Sequence, residues 1–237
     1  MPHPIRLALS CALALACAGA PAPPAPDRSA LWGHVRLVPR EGVSPGGVAG
    51  AASPYGDRRY ADVPLVDYTR PGFAVVYLEG TPPAGVPPTR LAVHAGVGGL
   101  RLEPRHAAIP AGGRILLENR SDEPHVVTCP RLGLVWNLAG GASAEIRVPG
   151  PGSFELFVPG ADAAVARVFA APGPYSVADG AGRYELVDLE PGAHVLHAWH
   201  PRFPPAARLV ELAPGQTARV DLELGVGLAG EGEGDAR

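Results

Sequence analysis

The amino-acid sequence predicts an all-β protein of two domains, built as sandwiches or barrels. Short apolar or alternating runs, from LWGHVRLV to TARVDLEL, recur along the chain with Gly, Pro, Asn or Asp between them. Such period-2 runs, separated by turn residues, are typical of sandwiches and barrels. No window sustains the i, i+3, i+4, i+7 apolar pattern that predicts a helix. The length of 237 residues suits two domains, because compact domains usually contain about 100 to 150 residues.

The composition excludes several classes of function. The chain contains 31 glycines and 29 prolines, but its aliphatic residues are grouped in runs, so it is expected to fold. The net charge is only -3 and no stretch concentrates arginine, so nucleic-acid binding is not expected. All basic residues are arginine, which excludes mechanisms that need a lysine amine. Methionine occurs only as Met1, so a processed chain has no thioether ligand.

Residues 1–18 have the layout of a secretory signal peptide. Arg6 precedes an apolar stretch at 7–16, which is too short for the roughly 20 residues of a membrane span. Two processing routes are open: lipidation of Cys17, whose preceding residues LALA resemble a bacterial lipobox, or simple cleavage after Ala18. Either route predicts a periplasmic protein or an outer-membrane-anchored lipoprotein, with membrane contact only through an N-terminal lipid.

Three further segments are weakly patterned. Residues 19–30 predict an extended Pro/Ala tether, residues 40–64 a long loop and residues 227–237 a disordered tail. Among the cysteines, Cys11 leaves with the signal and Cys17 is lost or lipidated, so Cys129 has no intramolecular partner. Because Cys129 follows the apolar run HVVT, it is predicted to be buried.

The usual short catalytic signatures are missing from the sequence. There is no G-x-S-x-G, H-E-x-x-H or C-x-x-C. Glycines 225, 227 and 230 match the G-x-G-x-x-G pattern of dinucleotide-binding proteins. The residues after them are too few to form the helix that would bind a pyrophosphate. No catalytic residue is predicted, and an enzyme built from dispersed residues remains only an alternative.

Residues 102–127 resemble a bacterial periplasmic family that joins a cupredoxin-like (plastocyanin-like) domain to a carboxypeptidase-regulatory-like (transthyretin-like) sandwich. The family positions are filled by Leu102, Pro104, Gly113, Asn119 with Asp122, and His125. The run GRYELVDLEPGAHVLHAWH at 182–200 resembles the most specific motif of the family. The resemblance covers residues 31–224 and implies two Ig/Greek-key-type sandwiches.

The resemblance also implies domain boundaries. Residues 88–171 correspond to the cupredoxin-like domain and residues 172–226 to the regulatory-like sandwich. Residues 31–82 resemble the opening strands of that second sandwich. Two arrangements are therefore open: the cupredoxin-like unit is inserted into the regulatory-like sandwich, or the units follow one another along the chain.

In this family, copper is held by an upstream histidine and by a downstream cysteine, histidine and methionine. With the family's spacing, the three downstream positions are filled by Val158, Ala161 and Ala164. Only His125 remains, so neither a metal nor another cofactor is expected, and His125 is interpreted as a loop histidine bound to a backbone group. On an extended strand Cys129 would lie about 13 Å from His125, too far to share one ion with it.

A second histidine group, His194, His197 and His200, also invites a metal interpretation. On a regular strand His194 and His200 face one side and His197 the other, so packing roles are expected instead.

The predicted function is that of a non-catalytic envelope protein that serves recognition or assembly, with an envelope protein or a glycan as its partner. Two alternatives are a carbohydrate-binding module, a role known for related folds, and a copper electron-transfer protein. Burial of Trp32, Trp136 and Trp199 would count against the stacking of sugars on these rings.

Overall fold

The computed structural model describes residues 23–40, 66–96, 99–161 and 163–226. The predicted signal peptide with Cys17, the predicted loop beyond residue 40 and the predicted tail at 227–237 lie outside these ranges. No helix in the described ranges is long and apolar enough to cross a membrane. The strands are β1 (Ser29–Val38), β2 (Val75–Leu78), β3 (Thr89–Gly96), β4 (Gly99–Glu103), β5 (His106–Pro110), β6 (Arg114–Asn119), β7 (His125–Cys129), β8 (Leu134–Leu138), β9 (Ser143–Arg147), β10 (Gly152–Leu156), β11 (Ala166–Ala171), β12 (Tyr175–Val177), β13 (Arg183–Leu189), β14 (Gly192–His200), β15 (Phe203–Leu212), β16 (Thr217–Arg219) and β17 (Leu222–Gly225).

These strands confirm the predicted all-β class, and they form two sandwiches with separate cores. In the first sandwich, a sheet of order β13-β1-β16, with β17 also paired to β1, faces a sheet of order β12-β2-β14-β15. Its core contains alternate residues of both sheets, among them Leu31, Val35, Val76 and Leu196. The described ranges also contain one turn of 3-10 helix, Pro130–Leu132, which follows β7.

The second sandwich packs a sheet of order β4-β3-β6-β9 against a sheet of order β10-β11-β5. The hairpin β7-β8 closes one side, joined to the segment after β10 by an antiparallel bridge between Thr128 and Phe157. Leu91, Ile115 and Val168 lie in the core between the sheets. Each of these residues alternates with outward-facing neighbours, as the period of a strand requires.

Strand pairing defines how the two sandwiches are connected. The first sandwich contains β1 and β2 together with β12 to β17, whereas β3 to β11 form the second sandwich. The chain therefore leaves the first sandwich after β2, builds the second one, and returns at β12. β1 is the central strand of its sheet, and its partners lie about 150 or more residues away in the sequence.

The first strand begins earlier than the sequence indicates. Ser29 and Ala30 belong to β1 and are fully buried, so their predicted place in the tether is wrong. Ser29 Oγ donates to Ala213 O at 2.9 Å, and the Ala30 amide donates to Gln216 O at 2.9 Å. Only small side chains occupy this buried start of β1, and for that reason its composition resembles that of a tether.

The apolar run TARVDLEL does not form one continuous strand. It divides into β16 and β17 at Val220 and Asp221, where the Val220 carbonyl turns toward Gly33 and accepts a 2.6 Å hydrogen bond from the Tyr184 hydroxyl. A Cβ atom at Gly33 would lie 1.8 Å from Val220 O, so only glycine fits there. Asp221 Oδ1 accepts from the His34 amide at 3.0 Å, which bridges the break.

Candidate functional site

His125, the remaining ligand-like residue, is held by a hydrogen-bonded loop. It is the first residue of β7, and its Nε2 lies 2.8 Å from Ser121 Oγ. That hydroxyl lies 2.9 Å from Asn119 Oδ1, to which it can donate while it accepts from the ring. The ring partner is thus a side-chain hydroxyl and not the backbone group predicted from the sequence.

Asn119 organises this loop. Its side chain is buried, and the two N–H groups of its amide are shared among the carbonyl oxygens of Glu123, Leu138 and Ala139, which lie 2.7, 3.1 and 2.9 Å from the nitrogen. Its Oδ1 also accepts from the Ser121 amide at 3.1 Å. Buried polar networks that are fully bonded are rigid, so the position of His125 is fixed by a structural loop.

The three downstream ligand-like positions carry no donor atoms. The Thr128–Phe157 bridge, with 2.9 Å hydrogen bonds in both directions, sets β7 beside the segment that contains Val158. Val158 is a buried core residue, and Ala161 packs against the same core. Ala164 is half-buried. Because these side chains have no lone pairs, the residues present do not fit the copper site of the family.

Cys129 does not supply the missing thiolate. It is fully buried, at 0% exposure, and free, which confirms its predicted burial. Burial raises the pKa of its thiol, so the neutral form is favoured over the thiolate that a metal needs. Cys129 also lies at the far end of β7 from His125.

The three histidines of β14 lie on two faces of the strand and contact different groups. His194 Nε2 lies 2.7 Å from Glu190 O, and the His200 ring is buried. On the opposite face, His197 stacks on Tyr77 with ring centroids 4.9 Å apart. Its Nε2 lies 3.2 Å from Glu79 Oε1, a contact that does not meet hydrogen-bond geometry. Across the described part of the chain, no group of three or more His, Cys, Asp or Glu residues could hold a metal ion.

Each of the three tryptophans is packed against other side chains. The guanidiniums of Arg183 and Arg219 lie over the Trp32 ring, at 5.8 and 5.1 Å from its centroid. Trp136 packs against the core of the second sandwich, and Trp199 stacks on Phe169. These contacts give no support to sugar stacking on tryptophan.

An aromatic junction that was not predicted from the sequence joins the two sandwiches. Phe169 of β11 stacks on Trp199 of β14, with centroids 4.6 Å apart, and lies 5.2 Å from the ring of Tyr77. Sheets β12-β2-β14-β15 and β10-β11-β5 are therefore covered on both faces in this region. The sequence signal is the unbroken apolar character of AVVYL at 74–78 and VFAA at 168–171, since strands buried on both faces do not alternate.

Two histidines border the aromatic junction. His106 of β5 stacks on Phe73 of the other sandwich, with centroids 5.3 Å apart. His200 Nε2 donates to Pro71 O at 3.0 Å while its Nδ1 accepts from the Arg202 amide at 3.1 Å. Burial lowers the pKa of His200 to about 4, with further contributions from His106 and Arg202. Both rings are therefore neutral packing groups near pH 7, since burial also lowers the pKa of His106.

Comparison with known proteins finds no family model and no curated protein that matches the chain. Among solved structures, the chain is similar to a novel purple cupredoxin from Nitrosopumilus maritimus, with 18% sequence identity and a TM-score of 0.29. The similarity covers 35% of this chain and 99% of that chain. A TM-score this low supports no inference about a metal or a function, which have to follow from the residues of this chain.

Proposed function

We propose that the protein is a non-catalytic recognition protein of the cell envelope, in which a cupredoxin-like sandwich serves as a scaffold without copper. The observation that carries this proposal is the apolar character of the ligand-like positions Val158, Ala161 and Ala164, the first of them buried in the core. A blue-copper site needs a thiolate and two imidazoles in a plane. His125 alone, tied to Ser121, leaves that set incomplete.

The state of the reactive side chains supports a non-catalytic role. A nucleophilic cysteine is exposed and has a lowered pKa, whereas Cys129 is buried with a raised pKa. A general base needs a free ring nitrogen close to substrate, whereas both nitrogens of His200 are hydrogen-bonded inside the fold. Both residues therefore act as packing groups in this proposal.

Copper retention tests the proposal directly. Purified protein is incubated with Cu(II) or Cu(I), desalted, and analysed for bound metal and visible absorbance. We expect no stoichiometric copper and no intense blue band, because the position of the thiolate is occupied by Val158. One-to-one retention that His125→Ala abolishes would contradict the proposal.

A variant that restores the donors is the matched positive control. The triple change Val158→Cys, Ala161→His and Ala164→Met places the family's ligand types at the three apolar positions. If the sandwich is a cupredoxin-like scaffold that has lost its ligands, this variant is expected to gain a copper-dependent absorption band that His125→Ala removes. Unchanged absorbance in a folded triple variant would count against the cupredoxin-like assignment of these positions.

Envelope localisation rests on the N-terminal sequence and needs its own experiment. If Cys17 is lipidated, the protein partitions with membranes, and Cys17→Ser releases it or blocks its processing, because a diacylated N-terminus binds membranes firmly. If cleavage follows Ala18 instead, both forms appear in the soluble periplasmic fraction. Retention in the cytoplasm would refute an envelope role.

A further inference from the structure

The outer face of the β4-β3-β6-β9 sheet carries a row of basic residues from three neighbouring segments. His94 of β3 is paired with Arg101 of β4. On its other side, Val93 is paired with Asn119 of β6 and the Arg120 amide donates to Val93 O at 3.2 Å. Arg101, His94 and Arg120 therefore lie side by side across the sheet.

The next row of the same face is acidic at its ends and apolar at its centre. Ala92 is paired with Glu103 on one side and with Glu118 on the other. Ala92 is buried although it faces outward, so it forms the floor of a depression between longer side chains. Arg90 lies one outward position further along β3.

Glu118 forms ion pairs with Arg90 and Arg120, whose guanidinium groups remain exposed. Glu118 is bound by Arg90 at 2.6 Å and by Arg120 at 3.0 Å. The arginine side chains remain 69% and 56% exposed, whereas Glu118 is only 18% exposed. Each guanidinium has five N–H donors, and only one nitrogen of each bonds Glu118, so the remaining donors of these exposed groups can bind a ligand.

The face is basic in a protein that is acidic as a whole. Alternation along the four strands places Arg90, Arg101, Arg114, Arg120 and Arg147 outward with Glu103, Glu118 and Glu145, whereas the chain has a net charge of -3. A cleft of about 510 Å³ opens on this face, lined by Arg90, Ala92, His94, Glu103, Pro104 and Arg120. The cleft thus combines cationic donors, carboxylate acceptors and a small apolar floor.

We propose that this cleft binds a hydroxylated carboxylate, such as a uronic acid, either as a free sugar acid or as a unit of an acidic polysaccharide. Arg90 and Arg120 would bind the carboxylate, since guanidinium matches its geometry. Glu103 and Glu118 would accept hydrogen bonds from neighbouring hydroxyl groups, and they would repel the second charge of a phosphate monoester. Ala92 and Pro104 would contact the carbon face of the ring. This ligand class rests on the recognition role proposed above, which the copper experiment tests separately.

Calorimetric titration of the whole protein with D-glucuronate and with a short oligogalacturonide tests the proposal. Binding of both ligands, or of one of them, is expected, and it should weaken as salt rises because the attraction is electrostatic. Binding of D-glucuronate assigns the site to a free sugar acid, and binding of the oligomer alone assigns it to a glycan. Absence of binding by both would overturn the proposal, as would equal or tighter binding of D-glucose or D-glucose 6-phosphate.

Matched variants locate the site. Arg120→Gln is expected to weaken binding about tenfold, the effect of losing one charged hydrogen bond, and Arg90→Gln provides a second variant should the first fail to fold. Arg114→Gln is the control, because Arg114 lies on the same face, binds Glu145 at 3.2 Å and does not line the cleft. Equal weakening by the control, or unchanged binding in a folded Arg120→Gln, would refute the location.

Discussion

Acidification tests whether His200 is held neutral at the junction of the two sandwiches. Its Nδ1 accepts from the Arg202 amide, so a proton on that nitrogen would break a buried hydrogen bond. Burial lowers the pKa of His200 from 6.5 to about 4 in the folded protein, whereas the unfolded chain keeps the ordinary value near 6.5. The free energy of unfolding must therefore depend on pH between these values.

The sign and size follow from proton linkage. Above pH 6.5 the ring is neutral in both states and imposes no penalty. Between pH 6.5 and about 4 the unfolded chain takes up a proton that the folded protein does not, so stability falls as the pH falls. The pKa difference of about 2.5, at about 1.4 kcal/mol for each pH unit, gives a loss of about 3 kcal/mol by pH 4.

Urea unfolding at pH 7, 6, 5 and 4 measures this loss. In His200→Gln the side-chain amide can still donate to Pro71 O but does not titrate, so its stability is expected to fall by about 3 kcal/mol less than that of the wild type over this range. Leu209→Ala, an exposed change on the neighbouring strand β15 that removes no titratable group, is the control and should retain the wild-type pH dependence. If His200→Gln and the wild type lose equal stability, His200 is not held neutral by the junction.

Three further predictions concern burial and close packing. Cys129, which is fully buried, is expected to resist thiol reagents in the native protein and to react quickly in denaturant; fast native labelling would contradict its placement. Gly33→Ala should destabilise the protein by about 3 kcal/mol or more, because its Cβ meets backbone, whereas Gly150→Ala, which points into open space, should change stability by less than about 0.5 kcal/mol. Phe169→Ala at the aromatic junction should cost about 3 to 5 kcal/mol in thermal or urea unfolding, compared with less than about 0.5 kcal/mol for Leu209→Ala, which is 72% exposed. If Gly33→Ala and Gly150→Ala lower stability equally, the close contact at Gly33 is refuted. If Phe169→Ala and Leu209→Ala lower it equally, the burial of Phe169 is refuted.

The apolar positions of the candidate copper site could be read from the sequence, because Val158, Ala161 and Ala164 lack donors whatever fold contains them. Burial of Cys129 was also predictable, since it ends an apolar run. The partner of His125 was not, because Ser121 reaches it only through a loop that Asn119 ties to carbonyls about 20 residues away. A local pattern contains no information on such a contact.

The sequence by itself determined that this protein is all-β, because the period-2 alternation of buried and exposed residues is a local property of each strand. Only the tertiary structure decided which strands are neighbours, since pairing such as that of β1 with β13 and β17 joins segments about 150 or more residues apart. The parallel pairing of β3 with β6 placed Arg120 in one row with His94 and Arg101. The tertiary structure also placed Phe169 against Trp199. Alternation specifies which face of a strand is buried, but register and sheet order depend on the packing of the whole chain.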